Sequence, residues 1–461
     1  MNTWSLALRN LLRNRRRSLA TLLAMVVGLT AILLFGGYRS NILYGMQTGF
    51  VQYSGHLQIQ RRGYFLDGGD NPTAYGIGGY ERIIEAIGRD ATLAPMLAVL
   101  TPSLRLGGIA GNFTAGISRS VIATGLAVED YNRMLQWNDY GVVSYAQPLA
   151  LSGTDANAVV VGTGVARKLK LCASLDVPDC SQEAAAAPQG ARAPADLAAL
   201  SALEKTQQPE GAGNRIEMLA ATARGAPNVA SLNVVRANNM GIKALDDVYM
   251  AMHLSQAQKL IYGSARPEVT AIVVQLHHTA QIPAARQRLQ ALLAGEFGSL
   301  PLEVLDFQTL NPMYGQTDEF MASMFGFIAL LIGVIVLFTI GNTMGTAVME
   351  RTVEIGTLRA MGLRRSGIRR LFMCEALLLG AIGSVLGLLS ALAIAYLINH
   401  SGWTWTPPGY SYAYLILVRI WQDVPLLAGS VAGMIGVTVA SAWWPAGRAA
   451  RLMIVDALRH A

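Results

Sequence analysis

The residue types that usually carry catalysis are sparse and scattered in this sequence. None of its six histidines has carboxylate or thiol neighbours at the spacing of a metal site. No Gly-Lys dipeptide occurs, so the phosphate-binding loop GxxxxGK[ST] is absent. The glycine doublets Gly76/Gly78 and Gly162/Gly164 lack the third glycine of a dinucleotide fingerprint. We therefore predict that the chain is not an enzyme and itself binds no metal or cofactor.

Two of the three cysteines are placed where they could form a structural disulfide. Cys172 and Cys180 lie at the root of an Ala/Pro-rich segment, residues 181–213, which contains no aromatic residue. If this region is exported, a disulfide between them is favoured, with two free thiols as the alternative. Low complexity of this type seldom buries enough surface to become ordered, so we predict that 181–213 is mobile.

The composition is typical of a membrane protein. Hydrophobic residues make up 52% of the 461 residues and charged residues only 14%, with a net charge of +7. Residues 39–319 hold 21 basic and 24 acidic side chains, whereas the rest of the chain holds 15 and 5. The positive charge therefore lies beside apolar segments, which is typical of membrane topology, and we predict no nucleic-acid partner.

Four segments have at least 20 residues without Asp, Glu, Lys or Arg, the length needed to cross a bilayer. The predicted transmembrane helices are 18–38, 320–349, 376–399 and 424–447. Small residues repeat four apart in the last three helices, as in Gly383-x-x-x-Gly387, and predict faces for helix packing.

The arginines that flank these segments predict the orientation. Fourteen lie in the N-terminal segment 1–17, the loop 350–375 and the tail 448–461, whereas only Arg419 lies in the short loop 400–423. Both termini are therefore predicted to be cytoplasmic, with residues 39–319 on the outer side of the membrane. We expect the first helix to be retained as an anchor, because its apolar stretch exceeds that of a signal peptide.

Residues 39–319 mix short runs of β-branched residues with helical runs, which predicts an α+β domain of two lobes. The predicted fold class is thus a membrane protein with four transmembrane α-helices and a large α+β periplasmic domain between helices 1 and 2. Predicted strands are His56–Gln60, Leu97–Thr101, Val121–Thr124, Val159–Val161, Ala230–Val235, Val269–Leu276 and Leu302–Leu305. Predicted helices are Glu81–Ile87, Leu126–Leu135, Leu254–Tyr262 and Ile282–Phe297.

The loop between the second and third helices carries the most specific motif in the chain. Its residues read Glu350-Arg351-x-x-Glu354-Ile355-Gly356-x-Leu358-Arg359-Ala360-x-Gly362. This motif resembles the corresponding cytoplasmic loop of FtsX/MacB-type ABC permeases. The alternative is that its arginines only fix the topology.

Three further segments resemble the same family. The N-terminal run Leu8-Arg9-Asn10-Leu11-Leu12-Arg13 is similar to its amphipathic elbow helix, which we place at 1–17. The closing motif is matched by Trp444-Pro445-Ala446-x-Arg448-Ala449-Ala450-Arg451 and Asp456-Ala457-Leu458-Arg459. The external segment Val161-Gly162-x-Gly164-Val165-Ala166-x-Lys168-Leu169 resembles the family's periplasmic core. Cys172–Asn214 departs from the family pattern as an insertion.

The resemblance implies the permease subunit of a mechanotransmission-type ABC transporter in a bacterial inner membrane. ATP and Mg²⁺ would be bound by two copies of a separate ATPase, and a second permease copy or paralogue would complete the complex among the inner-membrane lipids. Gly55-His56-Leu57-Gln58-Ile59 resembles the lipoprotein-releasing (LolC/LolE-like) branch, which implies lipoprotein cargo and a lipoprotein carrier. The alternatives are a MacB-like drug or toxin efflux permease with a periplasmic adaptor, an FtsX-like regulator of cell-wall hydrolases, and a four-span enzyme or sensor.

Two groups of residues are candidates for function. In the coupling loop, Glu354 and Arg359 are predicted to face charged groups of the ATPase, with Ile355 and Leu358 in its groove. At the outer ends of the first two helices, bulky apolar side chains would suit a chamber for variable acyl chains. These chamber residues are Phe35, Tyr38, Ile42, Phe320, Met324 and Phe325. The alternative is that they only pack against lipid or a partner subunit.

Overall fold

The computed structural model describes residues 6, 7, 9, 10, 13, 15–69, 71–177 and 212–452. Two compact units make up the chain: a helical unit (residues up to 44, 313–405 and from 414 onward) and an α+β unit (45–312 and 406–413). Cys180, nearly all of the insertion 181–213, much of the elbow 1–17 and the motif residues after 452 lie outside the described residues. The disulfide and the mobility of the insertion therefore stay predictions.

The first element is a 40-residue helix, α1 (Arg15–Ser54), which contains the first apolar segment and continues well beyond residue 38. The strands that follow are β1 (Leu57–Arg61), β2 (Ile77–Gly78), β3 (Leu97–Asn112), β4 (Ile117–Leu126), β5 (Ala158–Gly162), β6 (Arg215–Ala221), β7 (Pro227–Asn238), β8 (Tyr249–His253), β9 (Glu268–Val269), β10 (Ala271–Leu276) and β11 (Leu302–Asp306). The helices between them are α2 (Tyr64–Asp67), α3 (Tyr80–Arg89), α4 (Val128–Met134), α5 (Thr163–Lys168), α6 (Cys172–Leu175), α7 (Lys243–Asp246), α8 (Leu254–Tyr262), α9 (Ile282–Glu296) and α10 (Phe307–Leu310).

Nine of the strands form one sheet in the order β11-β1-β10-β3-β4-β8-β5-β7-β6. The long strand β3 pairs with β10 through its first half and with β6 near its end, around Ile109. Because β4 lies along its other side, the six strands β3, β4, β8, β5, β7 and β6 close into a ring. Closure pairs strands that would otherwise present a free edge.

Among the described residues of the α+β unit, the two largest hydrophobic cores follow from this arrangement. One lies inside the ring and includes Leu106, Val161, Met218 and Met252. The other packs α3 and α9 against β1 and β10. Strand β6 alternates buried and exposed residues as a strand with one face on a core must.

Strand β3 is much longer than the predicted strand Leu97–Thr101. The prediction ended early because the second half of β3 is rich in glycine, which has a low propensity for strands. Packing against another strand requires glycine at position 108, since a Cβ there would lie 2.8 Å from the backbone oxygen of Leu219 on β6. Close approach of the two backbones is what closes the ring.

The rest of the helical unit consists of α11 (Pro312–Glu350), α12 (Thr352–Ala360), α13 (Arg365–His400), β12 (Thr404–Trp405), β13 (Tyr414–Leu415) and α14 (Val424–Arg451). Within the described part of the chain, four helices are long and apolar enough to cross a membrane, namely α1, α11, α13 and α14. Helices α11 and α13 begin earlier than the predicted residues 320 and 376, so most of the loop 350–375 is helical.

Small residues bring α13 close to two other helices. A Cβ on Gly383 would lie 2.9 Å from Met25 of α1, and one on Gly387 would lie 3.0 Å from Leu29. Gly380 faces Thr438 of α14 in the same way. This packing confirms that Gly383-x-x-x-Gly387 is a contact face, whereas a Cβ on Gly429 or Gly433 of α14 would have no other side chain or neighbouring helix within 4 Å among the described residues.

Candidate functional site

The predicted coupling segment is a short helix between two long ones. Helix α12 follows α11 directly after Arg351, and the chain reverses at Gly362 before α13 begins. Gly362 has φ +95°, a left-handed conformation that residues with a Cβ rarely adopt. The last glycine of the family motif therefore forms the turn that sets α12 against α13.

Arg351 does not face outward but is buried within the helical unit. Its Nη1 lies 3.1 Å from Oε1 of Glu375 on α13, and the two side chains are only 8% and 3% exposed. Asn10 donates from Nδ2 to the same Glu375 oxygen at 2.5 Å, and its backbone oxygen accepts from Arg351 Nη2 at 3.2 Å. This cluster, which we call the buried clamp (Asn10, Arg351, Glu375), joins the N-terminal segment, the start of α12 and α13.

A small cavity adjoins the buried clamp and is lined also by Ser18, Thr21 and Thr343. Its volume of about 30 Å³ is enough for a bound water. Among the described residues, Arg351 Nε is buried without a hydrogen-bond partner. A polar cavity of this size suits a water that would hydrate this end of the clamp.

Two more charged residues of the motif have partners in the same unit. Glu354 pairs with Arg13 at 2.5 Å, and both side chains are about half exposed (49% and 55%). Arg359 donates to the backbone oxygen of Leu452, just after α14. The charges predicted to meet an ATPase are thus already engaged within this chain.

The two apolar residues of the motif differ in burial. Ile355 is buried in the core of the helical unit and is not accessible in this chain, whereas Leu358 packs only partly against the same core, and its contact with a partner stays a prediction. The exposed face of α12 and the turn after it instead carries Val353, Thr357 and Met361. We call these three residues the α12 outer face. The helical period places them together and turns Ile355 inward.

At the other end of the helical unit, the predicted chamber residues lie on neighbouring helices. The rings of Phe35 on α1 and Phe325 on α11 are stacked with centroids 6.3 Å apart. Phe320 and Met324 are exposed, and Tyr38 packs partly against the core. Close by in sequence, Arg39 pairs with Asp318 at 2.5 Å, which ties α1 to α11 at this level. The role of these residues in cargo binding stays a prediction.

The glycine doublet at 162–164 in the α+β unit has a structural function. Asp246, 3% exposed, accepts hydrogen bonds from the backbone nitrogens of Thr163 and Gly164 at 2.9 and 2.8 Å, and from the Thr163 hydroxyl. A Cβ on Gly162 would lie 2.1 Å from the Asp246 backbone oxygen. The doublet therefore lets α5 approach a buried carboxylate, which accepts hydrogen bonds at the N-terminus of this helix.

The segment Gly55–Ile59, which resembles the lipoprotein-releasing branch, also has a structural role. Gly55 has φ +73°, and His56 is fully buried, with its ring edge-on to Trp137 at 4.8 Å. His56 Nδ1 accepts from the backbone nitrogen of Leu276 at 3.0 Å. Burial lowers the pKa of His56 to about 4, so the ring is neutral at neutral pH and belongs to the packing of β1.

Sequence reasoning missed Glu375 and Asp246 as key residues. Glu375 comes directly before an apolar stretch, which makes it resemble an ordinary flanking charge. The signal that could have identified Glu375 is its charge, because it is an acidic residue next to an apolar segment whose other flanking charges are arginines. Asp246 had little local signal, because among the described residues only the backbone nitrogen of Met240 donates to it from nearby in the chain, whereas its donors at Thr163 and Gly164 lie 83 and 82 residues away.

The four helices of membrane-spanning length in the described part of the chain, with a short helix between the second and third of them, are the features of a multi-pass membrane protein. Residues 324–454 match the model of the FtsX-like permease C-terminal domain, and this range includes Arg351 and Glu375 of the buried clamp. The match over residues 324–454 and the relatives below show that this chain is similar to FtsX/MacB-like ABC transporter permeases.

Three relatives illustrate the similarity. The ABC transporter permease YtrF of Bacillus subtilis is 34% identical over 144 residues, which are 29% of this chain and 31% of YtrF. The macrolide export ATP-binding/permease protein MacB of Neisseria gonorrhoeae is 30% identical over 187 residues, 41% of this chain and 27% of MacB. MacB of Bordetella avium is 27% identical over 234 residues, 51% of this chain and 34% of that protein. The matches thus span about a third of each relative's length.

Proposed function

We propose that this chain is the transmembrane subunit of an ABC transporter that works by mechanotransmission. A separate ATPase, in two copies, would bind ATP and Mg²⁺ on the cytoplasmic side, and a second copy or paralogue of this chain would complete the complex. The cytoplasmic termini rest on the arginine distribution, and the location in a bacterial inner membrane rests on the similarity to ABC permeases. The match to a permease domain family supports the class.

The observation that carries this proposal is the buried clamp. Because Asn10, Arg351 and Glu375 are hydrogen-bonded to one another, a displacement of α12 is passed to α13 and to the N-terminal segment. Arg351 also directly follows α11, whose 39 residues run without interruption to Pro312. A force applied to α12 would therefore act on the whole of α11 rather than only on a loop.

The α12 outer face is the surface on which the ATPase would dock. In place of the buried Ile355, it offers two apolar side chains, Val353 and Met361, to a partner. Glu354 lies beside this face and its pair with Arg13 is accessible to solvent, so it can exchange partners at small cost.

Met361→Glu is expected to abolish most of the association with the ATPase. The change removes an apolar side chain from the contact and puts a carboxylate in its place. Loss of such a contact residue typically costs about 1–3 kcal/mol, which weakens binding by one to two orders of magnitude. The measurement is the amount of ATPase that co-purifies from membranes, with the Kd determined in detergent. Met313→Glu, the same change at an exposed methionine at the other end of α11, is the control. Equal retention of the ATPase by both variants would refute this docking surface.

The proposed cargo is amphipathic, and a lipoprotein is the leading candidate. The described parts of the apolar spans offer no charged track through the bilayer, so a hydrophilic solute would find no favourable path. An acyl chain needs no such track. The exposed Phe320 and Met324 on α11, with the stacked pair Phe35 and Phe325 behind them, form an apolar surface that would suit acyl chains.

Photoreactive residues at Ile42 and Met324 would identify what occupies this surface. We expect cross-links to acylated proteins, and expect them to decrease when ATP turnover is allowed. The same residue placed at Leu386, an exposed position within the apolar segment of α13, is the control for contacts outside the chamber. Cross-links that do not differ between Met324 and Leu386 would remove the chamber assignment.

The second candidate is a MacB-like efflux permease that works with a periplasmic adaptor. It is favoured by the relatives of Neisseria and Bordetella, whose names specify macrolide export. Recovery of drugs or peptides in place of acylated proteins at Ile42 and Met324, together with co-purification of an adaptor, would favour this candidate. Association with the ATPase through α12 would be the same in both cases.

A further inference from the structure

Two arginines lie on the faces of two exposed tryptophans near the C-terminal end of α14. The Arg369 guanidinium carbon is 3.7 Å from the ring centroid of Trp443, and that of Arg448 is 5.0 Å from the ring centroid of Trp444. The first pair bridges α13 and α14, whereas the second lies along α14 at a spacing of four residues. Both tryptophans remain largely exposed, at 60% and 68%.

Neither guanidinium has a hydrogen-bonding or acidic partner among the residues that the structure describes. A guanidinium that lies on an aromatic ring uses its face for that contact and keeps the N–H groups of its edge free. Those donors match the oxygens of a phosphate, to which arginine binds in a bidentate manner. Each arginine–tryptophan pair is therefore a partly formed anion site.

The position of the pairs along the helix indicates which anion they meet. Trp443 and Trp444 lie at the end of the fourth apolar segment, where tryptophan is enriched at the level of lipid headgroups. Further exposed arginines follow nearby on the same helices, at 370 and 451. Positive charge next to exposed indole rings is complementary to an anionic lipid surface.

We propose that Arg369–Trp443 and Arg448–Trp444 together form a binding site for the headgroup phosphate of anionic phospholipids. The indole rings would lie against the glycerol and upper acyl region while the guanidinium edges hold the phosphate oxygens. The site joins α13 to α14 at the end where α12 is attached, so a bound lipid would stabilise this end of the helical unit. The inference depends on membrane insertion and is independent of the cargo.

The test compares two double variants of equal charge. Arg369→Gln/Arg448→Gln removes the arginines on the rings, and Arg364→Gln/Arg365→Gln removes two exposed arginines near the start of α13. Each full-length protein is purified in neutral detergent, mixed with dioleoylphosphatidylglycerol or dioleoylphosphatidylcholine, and analysed by native mass spectrometry. We expect retained phosphatidylglycerol to fall about tenfold in the first variant and little in the second.

Thermal unfolding without added lipid shows whether the variants fold alike, and with phosphatidylglycerol it gives a second readout. The unaltered protein and the Arg364/Arg365 variant should be stabilised by phosphatidylglycerol, and the Arg369/Arg448 variant should not. Equal losses in both variants would reduce the effect to general surface charge and overturn the site. Full competition by millimolar inorganic phosphate would also overturn it, because the site would then recognise free phosphate rather than a lipid.

Discussion

Glu375→Ala is expected to be among the most destabilising single changes in the helical unit. It leaves the Arg351 guanidinium, 8% exposed, without its carboxylate and leaves the Asn10 amide without an acceptor. Loss of one partner of a buried ion pair typically costs about 3–5 kcal/mol, because an uncompensated charge stays buried. The measurement is the free energy of unfolding of the purified protein in mixed detergent micelles.

The same segment supplies a matched control. Glu354→Ala removes a carboxylate from the solvent-exposed pair with Arg13 and should cost below about 1 kcal/mol. Arg351→Leu/Glu375→Leu should recover most of the loss, because it removes both buried charges together. If Glu375→Ala and Glu354→Ala lowered stability equally, the buried clamp would not have the role that we assign to it.

A second large effect is expected in the α+β unit from Asp246→Ala. The change leaves the buried backbone nitrogens of Thr163 and Gly164, and the Thr163 hydroxyl, without their acceptor. Unsatisfied buried donors cost about 1–3 kcal/mol each, so a total of about 4 kcal/mol is expected. The N-terminus of α5 would also lose the negative charge that favours it.

Hydrogen–deuterium exchange of the full-length protein can locate this effect. Peptides that cover β5, α5 and α7 should exchange faster in Asp246→Ala, whereas peptides from α3 and α9 should change little because they belong to the other core. Asp247→Ala is the control: its carboxylate pairs with Lys168 at 3.0 Å and is partly exposed, so its removal should cost below about 1 kcal/mol. Similar exchange in the two variants would contradict the role of Asp246 as the acceptor for α5.

The sequence by itself determined the features that depend on local composition. The four apolar segments are visible because a helix that crosses a membrane needs about 20 apolar residues in a row, and that count involves no other part of the chain. The types of most elements in the α+β unit, such as α3 and α9, follow from their periodicity in the same way. The motif around Glu350–Gly362 was enough to indicate the resemblance to FtsX/MacB-type permeases, and the match over residues 324–454 includes this motif.

Only the tertiary structure decided which side of that motif faces inward. Ile355 and Val353 are both apolar, and the choice between core and surface depends on where α13 and α14 lie against α12. The pairing of Asn10 with Glu375 spans 365 residues, and no local pattern marks it. Closure of the six-stranded ring likewise depends on Gly108 meeting β6. Hydrophobicity and periodicity are summed along the chain, whereas these contacts depend on which surfaces meet in space.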